Sequence, residues 1–273
     1  MSTNKKLIAT CMHINHKNIY CEQKMFIRDL VVKNKIEENF ITNPAYGHRR
    51  LSIDLKMNHK KIRRVMREFH LKPPRLWYQK KFITQTEPDF QDQYTNLLKD
   101  IVMTDYSFGD LWSSDLTYIK FHGMFIYLAI MKDILSGEIT AFNTGNHHDA
   151  DLVLKTLKEA MLKTGTPPKI FHSDRGREFL SIHCIQFLEH AGTKISVSDP
   201  GSPWQNTWSE SFFSRFKTEF GDFNRFETLG ELLANIFAYI HYYNTIRIQT
   251  KLKMSPAQFK QKVAESVLEK RGT

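Results

Sequence analysis

The chain has 273 residues, with 39 Lys and Arg against 29 Asp and Glu, a formal net charge of +10 and a pI near 9.4. Apolar residues make up 41% and charged residues 25%, a globular composition that excludes a wholly disordered chain. The longest clean apolar run, Phe125 to Met131, is too short to span a bilayer, and three cysteines (Cys11, Cys21, Cys184) argue against a disulfide scaffold. With no long apolar segment behind Met1 to Lys6, the expectation is a cytoplasmic protein without a membrane partner.

The charge is unevenly placed. Residues 1–81 carry 19 Lys and Arg against 6 Asp and Glu, a net of +13; residues 82–273 carry 20 against 23, a net of −3. A basic segment joined to a near-neutral one suits a polyanion-binding module, with nucleic acid the first candidate.

In chain order, residues 21–40 read as a helix, with Met25, Ile27, Leu30, Val31 and Ile36 near helical spacing. Asn43-Pro44 breaks it, and a second helix is expected from Ala45 to Lys56. Asn58 is a good N-cap for a third, His59 to Phe69, with Ile62, Val65, Met66 and Phe69 on one face and Lys60, Lys61, Arg63, Arg64 and Arg67 over the remainder. Two short helices with a tight joint, the second basic, fit a helix-turn-helix within a basic helical region at 1–78. A linker at 79–104 holds one short helix, roughly Asp89 to Lys99.

From Leu111 the texture changes. Asp115 to Phe121, Met124 to Met131 and Glu138 to Phe142 read as three strands joined by tight turns. A helix from His148 to Lys163, a strand from Lys169 to His172, a helix from Arg177 to His190 and a strand from Lys194 to Ser198 follow. Helices from Trp204 to Phe220, Leu229 to Tyr243 and Ser255-Pro256 to about Glu269 complete the chain. The expected fold class is α/β, a mixed five-stranded sheet with helices on both faces, preceded by a small all-α unit. The core is expected at 105–248 and a helical tail at 249–273.

Three carboxylates stand out. Asp115 lies early in the first core strand, Asp174 directly after the fourth, and Glu210 within the helix after the fifth. Strand carboxyl ends are where α/β sheets bind ligands. Clustered carboxylates repel one another unless a cation lies between them, and oxygen-only ligation suits magnesium or manganese. Asn206 and Lys217 lie one turn before and two turns after Glu210 on the same helical face.

The contexts Trp112-Ser113-Ser114-Asp115-Leu116-Thr117-Tyr118, His172-Ser173-Asp174-Arg175-Gly176 and Asn206-Thr207-Trp208-Ser209-Glu210-Ser211-Phe212-Phe213, with thirty-five residues between Asp174 and Glu210, resemble the catalytic core of DDE transposases and retroviral-type integrases. More narrowly, the chain resembles OrfB-type transposases of bacterial two-frame insertion sequences. Tyr243-Asn244, Arg247, Leu252, Ser255-Pro256 and Phe259 match that group's C-terminal pattern, and Tyr46-Gly47-His48-Arg49-Arg50 with Lys61 to Met66 resembles its N-terminal helix-turn-helix.

The resemblance implies an RNase H-like fold and cleavage and joining of DNA by two magnesium or manganese ions held by Asp115, Asp174 and Glu210. Lys217 and Asn206 would touch DNA at the site, and Arg49, Arg50, Lys60, Lys61, Arg63, Arg64 and Arg67 would touch it from the N-terminal unit. The partners implied are inverted-repeat element ends and target DNA, a second copy of the chain on DNA, and an OrfA-type partner or fusion.

Two departures matter. The family has an Asp-Asn pair before the glutamate where this chain reads Gln205-Asn206, and a glycine-containing turn where it has only Lys56 to His59. The first leaves a competing reading open, a transposase-derived DNA-binding regulator of weak or absent catalysis. An unrelated RNase H-like nuclease is a third. Cys11, His13, His16 and Cys21 match no zinc spacing, and His147-His148-Asp149 reads as a helix start rather than a metal site. His172 either orients the site or packs; Trp204 and Trp208 either stack on a base or enter the core; Arg175 and Arg177 either meet phosphate or water.

Overall fold

The structure, a computed structural model, describes residues 10–12, 24–73 and 93–271. His13, His16, Cys21, the expected helix start at 21–23 and residues 89–92 of the expected linker helix lie outside the described residues. The chain divides into two compact units, residues 1–74 and 75–273. Among the described residues no helix is long and apolar enough to cross a membrane.

In the first unit, helix α1 spans Lys24–Thr42, α2 His48–Asp54 and α3 His59–Glu68. The buried stripe of α1 is Asp29, Val32 and Ile36; Met25, Ile27 and Val31, expected to share the apolar face, are exposed. The stripe turns because Arg64 forks onto Asp29 with hydrogen bonds of 2.6 and 2.7 Å, allowing a carboxylate inside. Asn58 caps α3 by accepting from Lys60 N at 2.8 Å, and Ile62 and Val65 are wholly buried. α2 is shorter than expected, since Lys56 takes φ +51°, a left-handed conformation that ends the helix as glycine often does.

The second unit is built on strands β1 (Leu111–Phe121), β2 (Met124–Asp133), β3 (Ile139–Gly145), β4 (Ile170–Ser173) and β5 (Lys194–Val197), in spatial order β3-β2-β1-β4-β5. β1 to β3 form an antiparallel meander, and β4 and β5 add in parallel beside β1. The first hairpin closes over His122 (φ 44°) and Gly123 (φ 86°), the two positive values that a two-residue turn matching strand twist requires.

Helices cover both faces. α4 (Ala150–Thr164) and α5 (Ile182–His190) pack through Val153, Leu157 and Leu188 against Trp112, Met131 and Phe171. α6 (Thr207–Phe220) and α7 (Leu229–Thr245) pack through Phe212, Phe216, Ile236 and Tyr243 against Ile119, Leu128 and Ile130. α8 (Pro256–Arg271) follows Ser255, which accepts from Gln258 N while Gln258 accepts from Ser255 N.

α5 starts five residues later than expected, at the Ser181 cap, and α6 starts three later, after a 3-10 turn at Pro203–Asn206. Among the described linker residues there are only short 3-10 turns, Leu97–Lys99 and Met103–Asp105.

The C-terminal residues knit the second unit together. Asn244 accepts from Ile139 N and donates to Ile139 O, both at 2.9 Å, along the outer edge of β3. Arg247 is fully buried and forks onto Glu219, which also accepts from the Tyr239 hydroxyl.

Candidate active site

The parallel pairing of β1 and β4 sets Ser113 opposite His172. Two residues further, Asp115 and Asp174 lie level with each other, one still within β1 and one just past the end of β4. Three hydrogen bonds pin the start of α6 above them. Ser113 and Ser209 share one of 2.7 Å between hydroxyls, Asn206 Nδ2 donates to Ser114 O at 3.1 Å, and Lys132 Nζ donates to Trp208 O at 2.7 Å. Glu210 thereby comes within electrostatic reach of Asp115.

Burial, foremost, raises the Asp115 pKa well above the usual carboxylate range; the negative charge of Asp174 adds to it, with Glu210 and Glu178 behind. The Leu116 N–H, 2.8 Å from Asp115 Oδ1, opposes the rise. Asp174 occupies an exposed position, yet protein crowds its carboxyl enough that burial again raises its pKa, against the Gly176 N–H at 3.0 Å and the nearby His148.

Glu178 is a fourth carboxylate at the site, missed in the sequence. Burial raises its pKa, Asp174 raises it further, and His148 Nε2 lies 3.4 Å from Glu178 Oε1. Gly176 makes room for it, since a Cβ there would come within 2.5 Å of Glu178 Oε1. The signal available was a fourth acid four residues after Asp174, hidden by the helix expected to start at Arg177.

As placed, no three His, Cys, Asp or Glu side chains among the described residues form a group that could hold a metal ion. The donor chemistry still fits a hard divalent cation. Asp115 and Asp174 are oxygen donors at level positions, and the repulsion carried by Asp115 is what a cation relieves.

Other expected site residues separate into two groups. Lys217 is half-buried, its ammonium 4.9 Å from the centroid of the Tyr118 ring; burial lowers its pKa, and Asp115 partly restores it. Asn206, expected to meet DNA, is 2% exposed and braces α6 against β1, because it sits in the 3-10 turn rather than on the α6 face.

His172 packs: it is wholly buried between Ser196 and Ser198, with Trp208 edge-on at 6.0 Å, and burial pushes its pKa down to about 4. Trp208, Phe212 and Phe213 belong to the core, whereas Trp204 is 65% exposed. Arg175 donates from Nε to Ser198 O at 2.9 Å, and Arg177 is exposed.

Gln205 is spent on its own loop. Its carbonyl oxygen accepts from Asn96 Nδ2 and Asp199 N, and its Nε2 donates to Asp199 Oδ2. A carboxylate here would lose that donor and face Asp199.

In the first unit, Arg49, Lys60, Lys61, Arg63 and Arg67 are exposed. Arg64 is committed to Asp29, and Arg50 lies over the Tyr46 ring at 5.6 Å. Both therefore serve the unit's own packing, which the expectation of a DNA contact did not foresee.

A family model described as an integrase core domain matches residues 106–203, and a second of the same description matches 210–263. An uncharacterized transposase-like protein of Haemophilus influenzae is 32% identical over 210 residues, covering 76% of this chain and 94% of that protein. The chain belongs to the DDE transposase and integrase superfamily. The insertion element IS600 31 kDa protein of Shigella sonnei, also uncharacterized, is 30% identical over 230 residues, covering 81% of this chain and 83% of that one. The transposase for IS904 of Lactococcus lactis is 33% identical over 152 residues, 55% of this chain and 60% of its own. Among solved structures, the HTLV-2 integrase catalytic core in complex with magnesium is 16% identical with a TM-score of 0.44, covering 56% of this chain and 96% of that one.

The mixed sheet flanked by helices is the RNase H-like arrangement of the superfamily's catalytic core. The two matches to this superfamily divide the site: the first contains Asp115 and Asp174, and the second begins at Glu210. Membership makes the chain an enzyme of the transposase and integrase class, a polynucleotidyl transferase.

Proposed function

We propose that the chain is an OrfB-type transposase that cleaves the ends of an insertion sequence and joins the freed 3′-hydroxyl to target DNA. The observation that carries the reading is the placement of Asp115 within β1 beside Asp174, just past the end of the neighbouring β4, with the start of α6 pinned to β1. Asp115, Asp174 and Glu210 would hold two magnesium or manganese ions. When bound, these ions activate the attacking oxygen and stabilise the leaving oxygen of a phosphodiester.

The chain's own groups hold the parts in place. The Leu116 and Gly176 N–H groups fix the orientation of the two aspartates, and Lys217 offers a cation to a DNA phosphate. The exposed Arg49, Lys60, Lys61, Arg63 and Arg67 take the DNA backbone, so affinity falls as salt rises. The chain works in the cytoplasm as a homo-oligomer on inverted-repeat ends, alone or with an OrfA-type partner.

Asp174→Asn should abolish magnesium-dependent cleavage of a terminal-repeat duplex while leaving DNA binding intact. Normal cleavage by the variant rejects the assignment. A regulator without catalysis is the competing reading; strand transfer by the wild-type chain in manganese excludes it. Gln205 gives that reading little support, because its hydrogen bonds go to Asn96 and Asp199.

A further inference from the structure

The half-buried ammonium of Lys217 makes no hydrogen bond and no ion pair among the described residues, although Asp115 is near enough to shift its pKa. Its close partner is the face of Tyr118, 4.9 Å away. The Tyr118 ring is in turn braced edge-on by Phe125 across the β1–β2 hairpin, with centroids 5.7 Å apart and an interplanar angle of 77°.

A lysine side chain is long and rotamer-rich, and an unrestrained one beside a carboxylate collapses onto it or swings into water. Here neither happens. The aromatic face attracts the cation without taking any of its three N–H donors, so all three stay available. Tyr118 is itself 38% exposed and Phe125 50%, so the pair forms an open ledge beside the ammonium.

We infer that Tyr118 is a positioning residue: it holds Lys217 off Asp115 with its donors free for a phosphate oxygen of the DNA strand being cut. This rests on the strand-cleavage reading above and deepens it. Tyr118 acts through Lys217 and touches no reacting atom. The ring face is what matters, and the hydroxyl is dispensable.

The test is a set of variants assayed on a terminal-repeat duplex. Tyr118→Leu keeps apolar bulk on the strand but removes the aromatic face; Tyr118→Phe keeps the face. Tyr118→Leu should raise the apparent KM for DNA, and weaken equilibrium binding, by roughly three- to tenfold, with kcat changed less than KM. Tyr118→Phe should restore both. Lys217→Gln should lower the salt slope of binding by about one, and adding Tyr118→Leu to it should cost nothing more.

The inference is overturned if Tyr118→Leu binds and cleaves like wild type, if Tyr118→Phe falls as far as Tyr118→Leu, or if the double variant loses the two effects additively. Failure of the underlying reading looks different. In that case the wild type does not cleave or Asp174→Asn cleaves normally, and the binding measurements still decide the role of Tyr118. Thermal unfolding of each variant identifies any loss that is only misfolding.

Discussion

Arg247 and Glu219 form a buried, two-pronged ion pair, with Nε to Oε2 at 2.6 Å and the second guanidinium nitrogen to Oε1 at 2.5 Å. Burial opposes the charge on Arg247, but the Glu219 carboxylate outweighs it and raises the guanidinium pKa. The pair ties α6, which carries Glu210 and Lys217, to the end of α7. Removing one partner leaves a buried charge alone. Glu219→Gln should therefore destabilise the second unit by about 3–5 kcal/mol, measured by urea denaturation, and a loss below 1 kcal/mol would contradict the pairing.

Asp115 titrates upward, so in the folded state its charged form is disfavoured by burial and by Asp174. A carboxylate with a folded pKa above its unfolded value weakens the fold as pH rises past the unfolded value. Asp115→Asn should then raise the Tm of metal-free protein at pH 7. Magnesium or manganese should raise the wild-type Tm and leave the variant's almost unmoved. A variant less stable than wild type in chelator, with the same metal response, would sink the repulsion argument.

His172 is held neutral, with a pKa of about 4 against an ordinary 6.5. The unfolded chain therefore binds the extra proton first. The stabilisation is complete above pH 6.5 and drains away as pH falls from there to about 4. Each pKa unit is worth about 1.4 kcal/mol, so the loss over this window is about 3 kcal/mol. Stability against pH in metal-free protein, compared with His172→Gln, isolates this slope; parallel curves would refute it.

Lys56 carries the left-handed turn between α2 and α3 at φ +51°. A side chain pays about 1–2 kcal/mol for that conformation, partly offset in glycine by its greater freedom when unfolded. Lys56→Gly should stabilise the first unit by about 0.5–1 kcal/mol, read by thermal unfolding of the full chain. A destabilised variant would show that the lysine side chain contributes more than the turn costs.

The strands were legible because β1 and β2 are long and β-rich with a His-Gly turn between them, and two of the helices because Asn58 and Gly165 mark their ends; the Ser181 cap of α5 was not read. At the α2–α3 joint, where the family has a glycine-containing turn, Lys56 takes the left-handed backbone that glycine favours.

What was hidden depended on contacts across the sequence. The burial of Asp29 needs Arg64, thirty-five residues away. Asn206 and Gln205 looked like surface residues of a helix, but their polar groups are consumed by Ser114, Asn96 and Asp199. Glu178 was invisible because irregular backbone, rather than the expected helix, carries it past Gly176. Periodicity reports which face is apolar; it is silent on which polar groups find partners there.

The Asn244 amide, bonded to both backbone groups of Ile139, has a consequence for assembly. β3 is the outer strand of the sheet, and an open outer strand is a template on which a neighbouring chain can add its own. By mimicking a strand's first rung, Asn244 plugs that template where β3 begins, and the Lys260–Glu138 ion pair bolts α8 beside it. A strand from a neighbouring chain is thus denied the backbone groups of Ile139, so pairing cannot begin at this end of the sheet.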